Sequence, residues 1–238
     1  MEKEISEKPE VSRKEINSLI RFLGDFPKGL EVDKEIFNQR EEYWNKVSGI
    51  LRKEVEEGRL DWGQYDTLQG SLVAVKEWLS DHDTLTGLHN KKSYEETIKK
   101  EVNRAEHYNR PLSLLVIDVD GLKAWNDEGK SHHLGDLAIK NTASSITKSI
   151  RLGDFAARWG GDEFAVILPN ANAEAAKEVS QRILEEVRKK APVSKKKLSV
   201  SIGVKQYRGE GPQNFFNKAD DAAYKAKTSS EKIVVVKD

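Results

Sequence analysis

Apolar residues recur at helical spacing through the N-terminal third of the chain. A first stripe at residues 16–23 stops at Pro27, and a second predicts a helix over about residues 33–57. A third stripe runs over about residues 68–81. We therefore predict a small all-α bundle over residues 1–80. Its aromatic residues are interpreted as core, with a ligand pocket or a dimer face as the alternative: Trp44, Trp62, Tyr65 and Trp78.

The pattern changes after residue 81. A polar amphipathic helix over about residues 94–105 leads to the nearly unbroken apolar run 112–117, which is typical of a strand buried on both faces. The order βαββαβ follows, which predicts an α/β fold of the α+β sandwich kind, with helices packed on a mixed sheet over residues 81–238. The remaining elements are a helix at 135–150, strands at 155–159 and 163–168, a helix at 174–189, a strand at 198–207, a helix at 212–227 and a strand at 233–236.

Composition excludes several classes of function. Lys plus Arg and Asp plus Glu number 40 each, so no net charge draws the chain to nucleic acid or to an anionic membrane. The absence of cysteine excludes disulfides and thiolate metal sites. No stretch approaches the roughly 20 apolar residues that a membrane span needs, and no signal peptide is evident, so we expect a cytoplasmic protein.

Two acidic segments are candidates for chemistry. Asp118-Val119-Asp120 follows the buried strand, at a sheet edge where ligands of α/β proteins bind, although acidic strand ends are common. Arg158-Trp159-Gly160-Gly161-Asp162-Glu163-Phe164 predicts a two-glycine turn that admits a phosphate, or else an ordinary hairpin. Together, carboxylates on neighbouring strands form a hard-oxygen site suited to Mg²⁺.

Further motifs lie around these two segments in a fixed order. With Gly160-Gly161-Asp162-Glu163-Phe164, they resemble the GGDEF family of diguanylate cyclases over about residues 81–238. The matching segments are Asp83 to Asn90 (D-x-LTGL-x-N), Asp118 to Asp127 (D-x-D-x-x-K-x-x-N-D), His132 to Asp136 (H-x-x-G-D), Ser201 to Val204 (S-I-G-V) and Ala219 to Lys227 (A-D-x-A-x-Y-x-A-K).

The resemblance implies a metal-dependent reaction that joins two GTP molecules into cyclic di-GMP and releases two pyrophosphates. Two Mg²⁺ or Mn²⁺ ions would be bound by Asp118, Asp162 and the backbone carbonyl of Val119. Asp162 would also be the catalytic carboxylate, supported by Glu163. Two domains would face each other, each with one GTP, so a homodimer is expected, with residues 1–80 as its regulatory and dimerisation domain.

The same resemblance implies the substrate contacts. Asn126 and Asp136 would read the guanine edge, and His132 would lie near the substrate. Lys123 and Lys227 would meet the phosphates, although each alone is typical of a solvated surface lysine. The nucleotide would approach along the backbone of Gly160 and Gly161.

Arg151-Leu152-Gly153-Asp154 has the R-x-x-D form of the family's product-inhibition site. An arginine fork there binds a phosphate or the Hoogsteen edge of guanine, and Arg158 would assist. The alternative is an ordinary salt bridge at a helix end.

Departures from the family pattern leave alternatives open. Glu231 stands where a phosphate-facing arginine is typical, although Lys232 could compensate, and Ser131 replaces a glycine. One alternative is a degenerate domain that binds GTP or cyclic di-GMP as an effector. Another is a palm-type relative that acts on a different nucleotide.

Overall fold

The computed structural model describes Ile20 and residues 41–123, 133–190 and 197–236, with side chains from Val47 onward in the first range. Most of the predicted first helix, together with Asn126, Ser131 and His132, lies outside the described residues. The chain divides into two compact units, Met1–Ser80 and Asp81–Asp238. Within the described stretches, no helix combines the length and the apolar character that crossing a bilayer requires.

The first unit contains helix α1, Glu41–Glu56, and helix α2, Trp62–Asp81. Trp62 contradicts the interpretation of the aromatic residues as core, because it is 60% exposed and packs edge-on against Tyr65. Tyr65 and Trp78 do lie against the core. The buried apolar residues recur at helical spacing on both helices: Val47, Leu51, Leu68, Leu72 and Val75.

The second unit is a five-stranded mixed sheet with helices on both faces. The strand order is β2-β3-β1-β4-β5, and every neighbouring pair is antiparallel except the parallel pair β4–β5. The elements are α3 Lys91–Tyr108, β1 Leu112–Val119, α4 His133–Ser149, β2 Phe155–Gly160, β3 Glu163–Pro169, α5 Ala173–Lys189, β4 Val200–Gln206, α6 Pro212–Thr228 and β5 Ile233–Val235.

The central strand β1 is buried on both faces, as its unbroken apolar run predicts. Leu115 and Ile117 point into the core shared with α4 and α5, whereas Leu114 and Val116 point into the core shared with α3 and α6. The alternation of side chains along a strand produces these two layers. The predicted α+β sandwich is confirmed. Each strand, and each helix from α4 onward, begins and ends within two residues of its predicted bounds.

Helix α6 lies unusually close to β4. A Cβ added to Gly203 of β4 would stand 2.0 Å from the carbonyl oxygen of Ala219 and 2.3 Å from the backbone nitrogen of Ala223. Only a residue without a side chain permits this approach. The close packing determines where α6 directs its polar residues.

Candidate active site

The acidic end of β1 and the two-glycine turn meet at one edge of the sheet. Asp118 lies directly opposite Glu163 in the antiparallel pairing of β1 with β3. One residue further, the backbone N–H of Val119 donates to the carbonyl of Asp162 over 3.1 Å. Gly161 has φ +28°, which favours glycine, and the β2–β3 register shifts between Arg158 and Gly160. The carboxylates predicted from separate strands therefore converge.

Lys227 of α6 contacts this cluster. Its Nζ lies 2.7 Å from Oδ1 and 2.8 Å from Oδ2 of Asp118, whose side chain is only 15% exposed. Burial raises the pKa of Asp118, and Asp162 and Asp120 add to that, although Lys227 opposes it. Desolvation lowers the pKa of Lys227, but the hydrogen bond to Asp118 together with the charges of Asp118, Asp162 and Asp120 outweighs it, so the net pKa is raised.

Glu163 and Asp220 extend the acidic cluster. Burial raises the pKa of Glu163, followed by the charges of Asp220, Asp118 and Asp162. Burial likewise raises the pKa of Asp220. Like charges opposite one another in a sheet are destabilising, so this concentration of acids favours a bound cation. Asp220 belongs to the A-D-x-A-x-Y-x-A-K motif, but the sequence alone indicated no role for it. It lies seven residues before Lys227, so both residues are on one face of α6.

A second network lies beside the first, around Asp120. Its Oδ1 accepts a hydrogen bond from Ser201 over 2.7 Å, and its Oδ2 lies 3.1 Å from Nζ of Lys232. Lys232 also donates to Ser201 Oγ over 3.3 Å. Lys232 is therefore held by Asp120, which works against the idea that it replaces the missing arginine. Glu231 is exposed.

The donor set is compatible with a hard divalent cation. Asp118 and Asp162 offer carboxylate oxygens beside the backbone of Val119, and ionised Asp118 is disfavoured by its surroundings. Over the described ranges, no group of three or more His, Cys, Asp or Glu side chains is arranged to hold a metal by itself. Magnesium fits such a site, because it usually binds one or two carboxylates and takes its other ligands from water and substrate phosphates.

Comparison with known proteins assigns the chain to a family. The family model described as "Diguanylate cyclase, GGDEF domain" matches residues 80–232. The chain belongs to the GGDEF family. A diguanylate cyclase, DgcP of Pseudomonas aeruginosa, is 32% identical over 205 residues, which cover 80% of this chain and 29% of that protein. The response regulator PleD of Caulobacter vibrioides is 34% identical over 222 residues, covering 90% of this chain and 47% of PleD.

A solved GGDEF structure supports the fold assignment. The GGDEF domain of DgcB from Caulobacter crescentus, determined in complex with c-di-GMP, is 29% identical and superposes with a TM-score of 0.62. The match covers 66% of this chain and 95% of that domain. The chain spans 29% of the length of DgcP and 47% of the length of PleD. The likeness to DgcB therefore concerns the GGDEF domain itself.

The structure describes three other residues predicted from the GGDEF pattern. Lys123 is exposed, four residues after the end of β1. Asp136 lies in the first turn of α4, where the helix dipole stabilises a negative charge. Gly160 is exposed in the turn. Asn126 and His132 lie outside the described residues, so of the pair predicted to read guanine only Asp136 is described.

The R-x-x-D segment of this GGDEF domain forms an ion pair. Nε of Arg151 lies 3.1 Å from Oδ1 of Asp154, and Arg151 also donates to the Pro169 carbonyl. Arg151 is 61% exposed, whereas Asp154 is 3% exposed. The helix-end salt bridge is present, and the exposed guanidinium remains accessible. Arg158 does not join the ion pair of Arg151 and Asp154. It lies at the glycine end of the β2–β3 hairpin, where it contacts Asp83 and Gly161.

We expect Glu163→Gln to raise the Tm of the metal-free GGDEF domain at neutral pH. The folded state raises the pKa of Glu163 above its ordinary 4.5, so it binds the proton more tightly than the unfolded chain does. The contribution of Glu163 to the free energy of unfolding of the wild type therefore falls as the pH rises through the raised pKa. The neutral variant avoids that loss, and the gain should vanish once acid protonates Glu163.

Thermal unfolding in EDTA between pH 4 and 8 measures this effect. Asp66→Asn, at an exposed position of α2, is the matched control and should leave the pH dependence of Tm unchanged. A Tm gain for Glu163→Gln that is equal at every pH would contradict the electrostatic explanation.

Proposed function

We propose that this chain is a diguanylate cyclase that condenses two GTP molecules into cyclic di-GMP and two pyrophosphates. The observation that carries the proposal is the convergence of Asp118, Asp162 and Lys227 at one sheet edge, beside a glycine turn with positive φ. Membership of the GGDEF family and the similarity to DgcP support it.

Asp118, the Val119 carbonyl and Asp162 would hold two Mg²⁺ or Mn²⁺ ions. Such ions, when bound, polarise the α-phosphate and favour ionisation of the attacking hydroxyl. Asp162 accepts the proton of the 3′-hydroxyl of one nucleotide. The 3′ oxygen then forms a bond to the α-phosphorus of the other nucleotide as the bond from that phosphorus to pyrophosphate breaks. Glu163, opposite Asp118, keeps the local potential negative.

Lys227 and Lys123 bind the phosphates in this proposal. Lys227 lies on Asp118 in the ligand-free chain, and it would turn toward the triphosphate once bound metal ions neutralise the carboxylates. Asp136 and Asn126 accept and donate hydrogen bonds along the guanine edge, with His132 nearby. A carboxylate opposite the N1–H and 2-amino groups selects guanine over adenine.

Ring closure requires two nucleotides that attack each other, and each GGDEF domain binds one. We therefore propose a homodimer whose two catalytic faces meet, with residues 1–80 acting as the dimerisation and regulatory domain. A site divided between chains turns over only when the halves are paired in the reactive geometry. The two-unit division of the chain is compatible with this role.

We also propose that cyclic di-GMP inhibits the enzyme through Arg151 and Asp154. The exposed Arg151 guanidinium presents the planar donor fork that binds phosphate or the guanine Hoogsteen edge. Its ion pair with the nearly buried Asp154 holds the fork in place before the ligand arrives.

One observation favours a second candidate, a domain that binds nucleotide without turning it over. Glu231 occupies the position of the expected arginine, and Lys232 is held by Asp120 rather than directed to a phosphate. Such a domain would bind GTP or cyclic di-GMP as an effector.

Incubation of the purified chain with GTP and Mg²⁺ or Mn²⁺, followed by anion-exchange chromatography, distinguishes the two. The proposal expects cyclic di-GMP, stronger competition by unlabelled GTP than by ATP, and a lower rate when cyclic di-GMP is added. Calorimetric binding of GTP without any product would instead support the effector.

A further inference from the structure

Both peptide groups that flank Asp162 are held by hydrogen bonds. The Asp162 carbonyl accepts from the N–H of Val119 over 3.1 Å. The Gly161 carbonyl accepts twice from Arg158, from Nε over 3.1 Å and from Nη2 over 2.7 Å. The orientation of the Asp162 side chain depends on these two peptide planes, so one main-chain bond and one arginine side chain determine it together.

Regular strand pairing is interrupted beside the turn. The β2–β3 ladder shifts register between Arg158 and Gly160, and Gly161 is exposed with φ +28°. Glycine in such a conformation loses more backbone freedom on folding than any other residue. The two hydrogen bonds from Arg158 to the Gly161 carbonyl restrict the conformation of this segment.

Arg158 is itself fixed from the other side. Its Nη1 lies 3.2 Å and 3.1 Å from the two carboxylate oxygens of Asp83, and the two side chains are 16% and 22% exposed. Oδ1 of Asp83 also accepts from the N–H and hydroxyl of Thr86 over 2.9 and 2.7 Å. In addition, the backbone N–H of Arg158 donates to the His89 carbonyl over 2.8 Å.

We infer that Arg158 is a positioning residue for Asp162, and that Asp83 holds it in place. This inference rests on the proposed cyclase function. The planar guanidinium donates to a carbonyl with one edge and to a carboxylate with Nη1, which an ammonium on a flexible stem does not reproduce. Groups that orient a metal ligand commonly change metal affinity or activity by about 10- to 100-fold when removed. Arg158 therefore acts on turnover rather than on product inhibition.

The test compares Arg158→Met, Arg158→Lys and Asp83→Asn with Arg188→Met, a control at an exposed arginine of α5. For each variant, kcat and KM for GTP are measured at saturating Mn²⁺, together with the inhibition constant of cyclic di-GMP. Mn²⁺ binding is followed separately by electron paramagnetic resonance with no nucleotide present, and Tm reports folding.

We expect Arg158→Met to lower kcat or Mn²⁺ affinity by about 10- to 100-fold, with KM for GTP and the inhibition constant changed by less than about threefold. Arg158→Lys should recover only part of the loss. Combining Asp83→Asn with Arg158→Met should add little to the arginine variant alone, because the residues act in series. Arg188→Met should match wild type.

Two results would overturn the inference. The first is unchanged kcat and Mn²⁺ affinity in Arg158→Met with weakened product inhibition, which would place Arg158 in the inhibitory site. The second is a loss that disappears when rates are corrected for the folded fraction. If wild type forms no cyclic di-GMP, the proposed cyclase activity fails, and Mn²⁺ binding still decides the role of Arg158.

Discussion

Asp162→Ala is expected to lower cyclic di-GMP formation by about 10²- to 10⁴-fold, the usual contribution of a positioned acid or base. The substitution removes the carboxylate proposed both to accept the 3′-hydroxyl proton and to bind metal. It should not unfold the domain, because the charge of Asp162 raises the pKa of Asp118 and of Glu163 and so works against their ionised forms. Product chromatography and thermal unfolding in EDTA measure the two effects separately.

Asp66→Ala provides the matched control, since it removes an exposed acid of α2. It should retain wild-type turnover. Turnover of Asp162→Ala within about threefold of wild type would remove Asp162 from the reaction and with it the proposed metal site. A fall in Tm comparable to that of a core substitution would instead show that Asp162 stabilises the fold.

The second large effect is expected from Gly203→Ala in β4. The added methyl group would overlap the backbone of α6 at Ala219 and Ala223, at 2.0 and 2.3 Å, and no rotamer change relieves a clash with backbone. We expect the free energy of unfolding to fall by at least about 3 kcal/mol, which is at the upper end of the range for overpacked cores. For a domain of roughly 150 to 250 residues this lowers Tm by roughly 6–12 °C.

Gly153→Ala is the control, because its new Cβ meets no atom within 4 Å. It should change Tm by less than about 2 °C, as surface substitutions usually do. Any folded Gly203→Ala protein should also lose turnover, since α6 carries Lys227 and Asp220. Equal Tm values for the two alanine variants would mean that α6 moves away from β4 at little cost.

The elements of the second unit were predictable because each has a strong local signal. The apolar run at 112–117 is typical of a strand covered on both faces, and the turn at Gly160-Gly161 separates two short strands. The placement of Asp118 and Asp162 at one sheet edge was predictable for the same reason, since both lie where strands end; their role as metal ligands stays a prediction. The core interpretation failed for Trp62, because apolar character alone does not decide whether a side chain in a small bundle is covered.

The contacts of charged side chains were not predictable. Arg158 lies near Arg151 and Asp154 in the chain, yet it bonds to Asp83, 75 positions earlier. Lys232 follows Glu231 and the sequence left open that it compensates for it, yet it pairs with Asp120. Long flexible side chains reach acceptors on any neighbouring element, and the sheet order determines which acceptors those are.

By itself, the sequence determined the family, the order of helices and strands, and the acids at the strand ends. These depend on local periodicity and on the spacing of motifs, and both can be read from the sequence without knowledge of the fold. Only the tertiary structure decided that Lys227 lies on Asp118, that Asp220 adds its charge to Glu163, and that Arg158 pairs with Asp83. Each joins residues far apart in the chain, and the distance between such residues is set by the packing of α6 and of the β2–β3 hairpin, not by their neighbours in sequence.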